Sequence, residues 1–503
     1  MADEETNGTV PSKPDATALA SRLQHLSLSA QTVHADDFLN SHTAVAPPMH
    51  VSTTFRYSRN PDDLSYMNNT SPSRPHDGHI YSRVSAPNTQ RFEAILTSIL
   101  RGPAVSYSSG LSAFHAMVVF LNPKRIAIGG GYHGCHGVIK VISKLSGLKQ
   151  LDLDCADEEL GPGDLIHVET PLNPTGEARD LEFYAEKAKR TGAFLSVDAT
   201  FAPPPLLDPF AFGVDIIMHS GTKYFGGHSD LLCGVLAVAP RHAEEWVPAL
   251  QTERLFMGSV MGSFEGWLGI RSLRTLELRV RKQSSDTEKL VGWLEAERRR
   301  EGSVVHDVVA EIKHASLQLS SEGKAPSWLA KQMPNGFGPV FAIYMKEEND
   351  AKKLPSKLNL FHHATSLGGV ESLIEWRSMT DAGVDKRLLR LSIGIEGWED
   401  LRDDLVQGFE ALVNWDKLAE KTGFKDGAFA KAHFQPLFEK LTCGEVKPDL
   451  GRRTLPLPLP TQRRLSQAPI WESSSEEEDD NNDNDDNDDV ALGVPVMVVD
   501  EEE

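Results

Sequence analysis

The run Ser220-Gly221-Thr222-Lys223 sets an amine beside two hydroxyls. The apolar segment Asp215–Met218 precedes it, and the glycine-rich run YFGGHSD follows. A short apolar segment bounded in this way reads as a buried strand, which puts Lys223 at the strand's carboxyl end. Ligands of open α/β sheets bind at that edge. A lysine amine forms a Schiff base with an aldehyde, and the Ser220 and Thr222 hydroxyls suit a phosphate. Taken alone, the run reads first as a solvated surface lysine. Asp198 adds a carboxylate at the end of the next apolar segment back, Phe194–Val197, in SVDATF. A carboxylate suits a protonated pyridine nitrogen, and a protonated ring absorbs the electrons left when a Cα–H bond breaks. Its plainer role is a helix cap or a turn. Pyridoxal phosphate (PLP) is an aldehyde that uses both partners.

Three further runs fit the same ligand. Ser108-Ser109-Gly110-Leu111 opens the apolar helix predicted over Leu111–Leu121, and free N–H groups at a helix start bind anions. Tyr132 follows the predicted strand Arg125–Gly129 in GGGYHGCHG and offers an aromatic face for stacking. The same window holds His133, Cys135 and His136, but no second cluster with zinc spacing accompanies them, so no metal is expected. Asn173, in ETPLNPTG, offers an amide to a phenolic oxygen, or else makes an ordinary Asn-Pro turn.

Alternating elements must position these residues. Between Tyr81 and Ala239 short apolar runs, Leu165–Glu169 and Val235–Val238 among them, alternate with helical patterns such as Asp180–Thr191. That pattern predicts a mostly parallel sheet covered on both faces. A helical stretch over Trp267–Arg300 leads into a smaller C-terminal α/β region. The expected division is an N-terminal arm over 1–80, a large domain over 81–258, a small domain over 259–445, and a Pro-rich then acidic disordered tail over 446–503. The arm, with a loop-like stretch from Asn60 to Pro75, is expected to need a neighbouring surface.

Net charge is −21 over 503 residues. Fifteen acids and no lysine or arginine fall between Glu472 and Glu503, so the rest of the chain carries only −6. Neither value suits a nucleic-acid binder. The first residues lack an apolar signal core, and no apolar run reaches membrane-spanning length, so a cytoplasmic protein without a membrane partner is expected. Four cysteines without a CxxC pair argue against a disulfide framework.

The runs YSRVSAPNTQRFE, SSGLSA, GGGYHGCHG, ETPLNPTGEARD, VDATFAPP, HSGTKYFGGHSD, WLGIRSLRTLELR, SLGGVESLIEW and LLRLSIGIE occur in this order from about Val51 to Leu405. The ordered set resembles the cystathionine γ-synthase / γ-lyase family of PLP enzymes, the Cys/Met-metabolism family of fold-type I. The resemblance implies the fold-type I PLP-dependent transferase-like architecture and a role for each residue. Lys223 would be the Schiff-base lysine and proton shuttle, and Asp198 the partner of the pyridine nitrogen. Tyr132 would stack on the ring and stand with Lys223 among the catalytic residues. Gly110 and Leu111 would give N–H groups to the phosphate, and Ser220 and Thr222 their hydroxyls. Tyr81 and Arg83 would reach the phosphate of a neighbouring subunit, which implies a homo-oligomer, a dimer of dimers. Arg390 would clamp the substrate α-carboxylate, with Ser366 and Asn173 helping to hold substrate and ring.

The sequence departs from the family where substrate side chains are read. YHGC stands for the usual YGGT, EWRSMTD (Glu375 to Asp381) for HPxxMTH, and SAPNT for Asn-Pro-Thr after YSR. Thr365 takes the place of the acid common before SLGG. The implied reaction is γ-replacement on an O-acyl-L-homoserine by a thiol such as cysteine. The alternatives are a γ- or β-lyase acting on cystathionine, cysteine or methionine, and a catalytically silent relative with an assembly or regulatory role.

Overall fold

The computed structural model describes residues 25–40, 43–64, 78–318 and 326–412, with positions 425, 427–429 and 431–432. The expected acidic tail and most of the Asn60–Pro75 stretch lie outside the described residues.

Seven strands form the larger sheet: β1 (Ala104–Tyr107), β2 (Arg125–Ile128), β3 (Lys149–Asp152), β4 (Leu165–Glu169), β5 (Phe194–Asp198), β6 (Ile216–Ser220) and β7 (Gly234–Val238). Their order is β1-β7-β6-β5-β4-β2-β3. The pairs β2–β3, β2–β4, β4–β5 and β5–β6 are parallel, whereas β7 runs antiparallel to both β6 and β1. The central strands are apolar because both faces are covered: β4 through β7 are buried over nearly every residue.

Helices α1 (Leu28–His34) and α2 (Pro87–Leu100) precede the sheet, α3 (Gly110–Leu121), α4 (His133–Ser146) and α5 (Leu181–Thr191) fill connections between its strands, and α6 (Ala243–Met257) follows it. Local sequence sets their ends. Ser109 caps α3 by accepting the Ser112 N–H at 3.1 Å, and Asp180 caps α5 through Glu182 and Phe183. A smaller five-stranded sheet follows: β8 (Val309–Lys313), β9 (Val340–Met345), β10 (His362–His363), β11 (Leu373–Trp376) and β12 (Leu388–Ser392), in the order β10-β11-β12-β9-β8.

The expected strands Leu165–Glu169 and Val235–Val238 are present, the second one residue longer. Two strands of the larger sheet escaped the sequence reading. β3, Lys-Gln-Leu-Asp, is an exposed edge without an apolar run. β1 is four residues long and continuous with a turn rich in serine. The helical stretch expected over Trp267–Arg300 is two helices, α7 (Ser263–Leu273) and α8 (Leu276–Arg299), broken at Arg274 and Thr275. Gly266 and Gly269 let α7 approach α2: a Cβ at Gly269 would lie 2.5 Å from the Phe92 ring.

The described part of the arm is tied to its own chain. Asp36, fully buried, takes Arg91 Nη2 and Arg274 Nη2, each at 2.6 Å. His50 N–H donates to Asn88 at 2.8 Å, and Trp267 Nε1 donates to Pro47 O at 3.0 Å. Asp36→Ala would strand two guanidiniums, one fully buried. Breaking a buried pair costs about 3–5 kcal/mol, so a Tm lowered by several degrees in a thermal melt is the expected outcome. Among the described residues no helix is long and apolar enough to cross a membrane.

Candidate active site

The carboxyl ends of β4, β5 and β6 lie side by side and carry the chemistry. In register, Glu169 pairs with Asp198 across β4–β5, and Asp198 pairs with Met218 across β5–β6. Two carboxylates therefore end adjacent strands. Asp198 is 6 % exposed and accepts the Thr200 N–H at 2.9 Å together with the Thr200 hydroxyl, both on Oδ1. Among the described residues Oδ2 accepts no hydrogen bond. Glu169 accepts the backbone N–H groups of Tyr132 at 2.8 Å and Asn173 at 2.7 Å. Burial, then the charge of Asp198, pushes the Glu169 carboxyl up to about 8, and burial also raises Asp198. No cation is hydrogen-bonded to Asp198 among the described residues, while the Arg179 charge partly opposes the rise at Glu169.

Lys223 follows β6 in the turn that opens at Ser220. Its Nζ donates to Ser366 Oγ at 3.0 Å. Burial, then the nearby Arg390 charge, lowers the amine to about 8, with Glu375 opposing and Arg377 adding to the fall. Gly368 closes the other side at φ +84, where a Cβ would stand 3.0 Å from the Lys223 backbone. Only glycine meets both demands at that position.

The start of α3 faces the same turn. A Cβ on Gly110 would lie 3.0 Å from Ser220 Cβ and Oγ, so helix start and hydroxyl are in contact. The Ser109 side chain serves the Ser112 N–H, while the N–H groups of Gly110 and Leu111 and the Ser220 hydroxyl have no acceptor among the described residues. Thr222 is engaged: its hydroxyl donates to Cys233 O at 3.3 Å and accepts the Cys233 N–H at 3.0 Å.

Tyr132 is the N-cap residue of α4 and lies over Gly134 beside the Leu111 side chain. Asn173, 5 % exposed, accepts Arg390 Nη1 at 3.1 Å on Oδ1. Arg390, on β12, also donates to Thr365 O and pairs with Glu375 Oε2 at 2.6 Å. Burial pulls its guanidinium down to about 10, partly opposed by Glu375. The expected residues thus form linked groups: Tyr132 and Asn173 through Glu169, Asn173 with Arg390, Lys223 with Ser366, and Gly110 with Ser220. Tyr81 and Arg83 stand apart. The Arg83 guanidinium lies 5.3 Å from the Tyr81 ring and donates to Leu255 O at 3.4 Å, with no bond to the other site residues.

His133 and His136 do not meet Cys135 as ligands. His136 approaches Gln150 at 3.3 Å, and among the described residues no group of three His, Cys, Asp or Glu side chains is placed to hold a metal ion. Four participants went unread in the sequence: Glu169, Thr200, Glu375 and Arg377. Glu169 and Thr200 lie in the runs that carry Asn173 and Asp198, whereas Glu375 and Arg377 lie in the EWRSMTD run that departs from the family.

A profile of the family described as Cys/Met metabolism PLP-dependent enzyme matches residues 29–410. The chain belongs to this family. It is therefore a PLP-dependent enzyme of fold-type I. The chain is 32% identical over 358 residues to a cystathionine gamma-lyase of Bacillus subtilis, spanning 67% of this chain and 90% of that protein. It is 31% identical over 395 residues to a cystathionine gamma-synthase of Escherichia coli, spanning 73% and 93%. The crystal structure of cystathionine gamma-lyase from yeast superposes with a TM-score of 0.66 at 27% identity, covering 77% of this chain and 98% of that one.

The residues present fit the cofactor. A buried carboxylate with a free oxygen stands at Asp198, unclaimed N–H and hydroxyl donors meet at Gly110, Leu111 and Ser220, and a lysine with a depressed pKa lies in the turn that begins at Ser220.

Proposed function

We propose that the enzyme performs γ-replacement on an O-acyl-L-homoserine, with a thiol such as cysteine as the incoming group. The observation that carries the amino-acid chemistry is the Lys223 amine, held at 3.0 Å by Ser366 and within the field of Arg390. PLP, held on Lys223, supplies an electron sink for the pair left at Cα when its C–H bond breaks. The Gly110 and Leu111 N–H groups and the Ser220 hydroxyl would hold its phosphate, with Thr222 in support. Asp198 would keep its ring nitrogen protonated, Tyr132 would cover the ring face, and Asn173 would serve both ring and substrate. In this reading Arg390 binds the substrate α-carboxylate, and Ser366 steers the Lys223 amine. That amine would take the proton from Cα and, once relieved of it, one from Cβ, after which the acyloxy group leaves Cγ as a carboxylate with the bonding pair. The thiol adds at Cγ and gives up its proton, and protons are returned to Cβ and then, by the lysine, to Cα. Tyr81 and Arg83, apart from this chain's own site, would serve the site of a neighbouring copy.

A second reading, a γ- or β-lyase, is supported by relatives of similar identity named cystathionine gamma-lyase and cystathionine beta-lyase. Incubation with O-acetyl- and O-succinyl-L-homoserine, with and without cysteine, separates the two. Replacement yields a thioether only when cysteine is present. A keto acid and ammonia formed from cystathionine or methionine at comparable kcat/KM, without thioether synthesis, would establish the lyase instead.

The depressed lysine has a measurable consequence. An amine attacks an aldehyde only when neutral, and the Lys223 amine loses its proton near pH 8. After removal of the cofactor, the rate of PLP capture is expected to climb about tenfold per unit below pH 8 and to level off above it. An ordinary lysine, with a pKa of about 10.4, would keep the rate climbing past pH 10. Absorbance-monitored reloading across pH 6 to 10.5 checks this.

A further inference from the structure

Arg390 is not free to grip a carboxylate with a full fork. A guanidinium takes a carboxylate bidentately either through Nη1 and Nη2 or through Nε and Nη2. Both forks need Nη2. Here Nη2 donates to the Thr365 carbonyl and stands 2.6 Å from Glu375 Oε2 in an ion pair, while Nη1 donates to Asn173. Nη2 is thus covered by a carbonyl and a carboxylate. The Thr365 acceptor is backbone. The Glu375 acceptor is a side chain on β11, directly opposite Arg390 in the β11–β12 register. Of the two bonds, only the one to Glu375 can be released by a side-chain turn.

A second observation lies on the far side of Glu375. Arg377 is 2 % exposed. Its Nη1 lies 3.3 Å from Glu375 Oε2 and 3.4 Å from Oε1, and 2.7 Å from the Thr380 hydroxyl. Its buried Nε–H has no acceptor. The other carboxylate near it, Asp381, stands 3.9 Å from Nη2. Glu375 is therefore closely bonded to one arginine and loosely bonded to another, and the loosely bonded one has a donor to spare. Arg377 also lies in the EWRSMTD segment, where this sequence departs from its family.

We propose that Glu375 is an exchangeable counter-ion: it occupies Arg390 until a substrate α-carboxylate arrives, and Arg377, already bonded to it through Nη1, then holds it alone. Arg377 is thus a positioning residue for substrate binding, acting through Glu375. The inference rests on the reading of Arg390 as the carboxylate clamp. The exchange leaves no buried carboxylate without a cation. Before binding Glu375 contacts both arginines, and after binding Arg390 pairs with the substrate while Arg377 keeps Glu375. Without Arg377 the displaced carboxylate would be left buried and unpaired, a state that proteins avoid. Glu375 would then hold Arg390 against the substrate.

The test uses the holoenzyme and two unreactive probes, L-norvaline and n-butylamine, which share an amine and a carbon chain but differ in the carboxylate. Binding of each is followed by the visible absorption of the bound cofactor. Arg377→Met is expected to weaken norvaline about tenfold or more while leaving butylamine within about twofold, since only the carboxylate contact is affected. Adding Glu375→Gln to Arg377→Met removes the competing charge and is expected to restore norvaline to within about threefold of wild type. A merely structural role for Arg377 predicts that the double variant is the worse of the two. Arg377→Lys, with a charge but no fork, is expected to fall between and serves if the Met variant does not fold. Norvaline binding that is unchanged in the Arg377 variants, or not restored in the double variant, would overturn the exchange. An Arg390→Leu control separates the layers: if it leaves the norvaline-to-butylamine ratio unchanged, the clamp reading itself fails.

Discussion

Lys223→Ala is expected to lower kcat by about a thousandfold or more. A positioned proton-transfer group contributes about 10²- to 10⁴-fold, and here one amine would serve at both Cα and Cβ. Lys223→Arg should fail almost as completely, because a guanidinium keeps its proton at any working pH. Burial and the Arg390 charge bring the Lys223 amine to about 8, so at neutral pH a usable fraction is already neutral. Arg390 and Asn173 are untouched by the change, so substrate binding should survive better than turnover. Steady-state kinetics should accordingly show the loss in kcat rather than KM. A variant retaining a tenth of the wild-type kcat would remove Lys223 from the chemistry.

Asp198→Asn should give the second largest loss, about two to three orders of magnitude in kcat. The carboxylate is 6 % exposed and keeps Oδ2 free for a cationic N–H. Removing one member of a buried pair costs about 3–5 kcal/mol, and each 1.36 kcal/mol is a factor of about ten in rate. The same change should not harm the fold. Asp198 and Glu169 are neighbouring buried acids, and each is raised by burial. Replacing one of them relieves their repulsion. The cofactor-free variant is therefore expected to melt at or above the wild-type temperature. This divergence, activity falling while stability holds, marks a residue kept for function. Thr200→Val, which deletes the hydroxyl that steadies Asp198 and accepts the Ser220 N–H at 2.8 Å, should cost about tenfold or more.

Much of this site was legible in the sequence because the sheet places strand ends together. Lys223 and Asp198 each close an apolar run, and parallel neighbours β5 and β6 make those ends adjacent. Gly110 and Ser220 needed the fold to meet, yet each already stood at an expected element boundary. What stayed hidden has a common cause. Glu169 and Glu375 look like ordinary strand-end acids, and their partners lie across a sheet, at Asp198 on β5 and Arg390 on β12. Register between strands is a tertiary property that periodicity in a single segment does not reveal. Arg377 was visible only as part of an atypical run, because a buried arginine is recognised by its surroundings rather than by its neighbours in sequence. Strand β3 was missed for a different reason: an exposed edge strand lacks the apolar run by which strands are found.

The central claim is that Lys223 carries the cofactor. Borohydride reduction of the purified holoenzyme, followed by proteolysis and peptide mass mapping, tests it directly, because reduction fixes PLP to the lysine that held it. The account predicts the pyridoxyl-phosphate adduct on the peptide containing Ser220-Gly221-Thr222-Lys223, with the label on Lys223 and none in Lys223→Ala. A stoichiometric adduct on another lysine, or a Lys223→Ala protein labelled as fully as wild type, would contradict it.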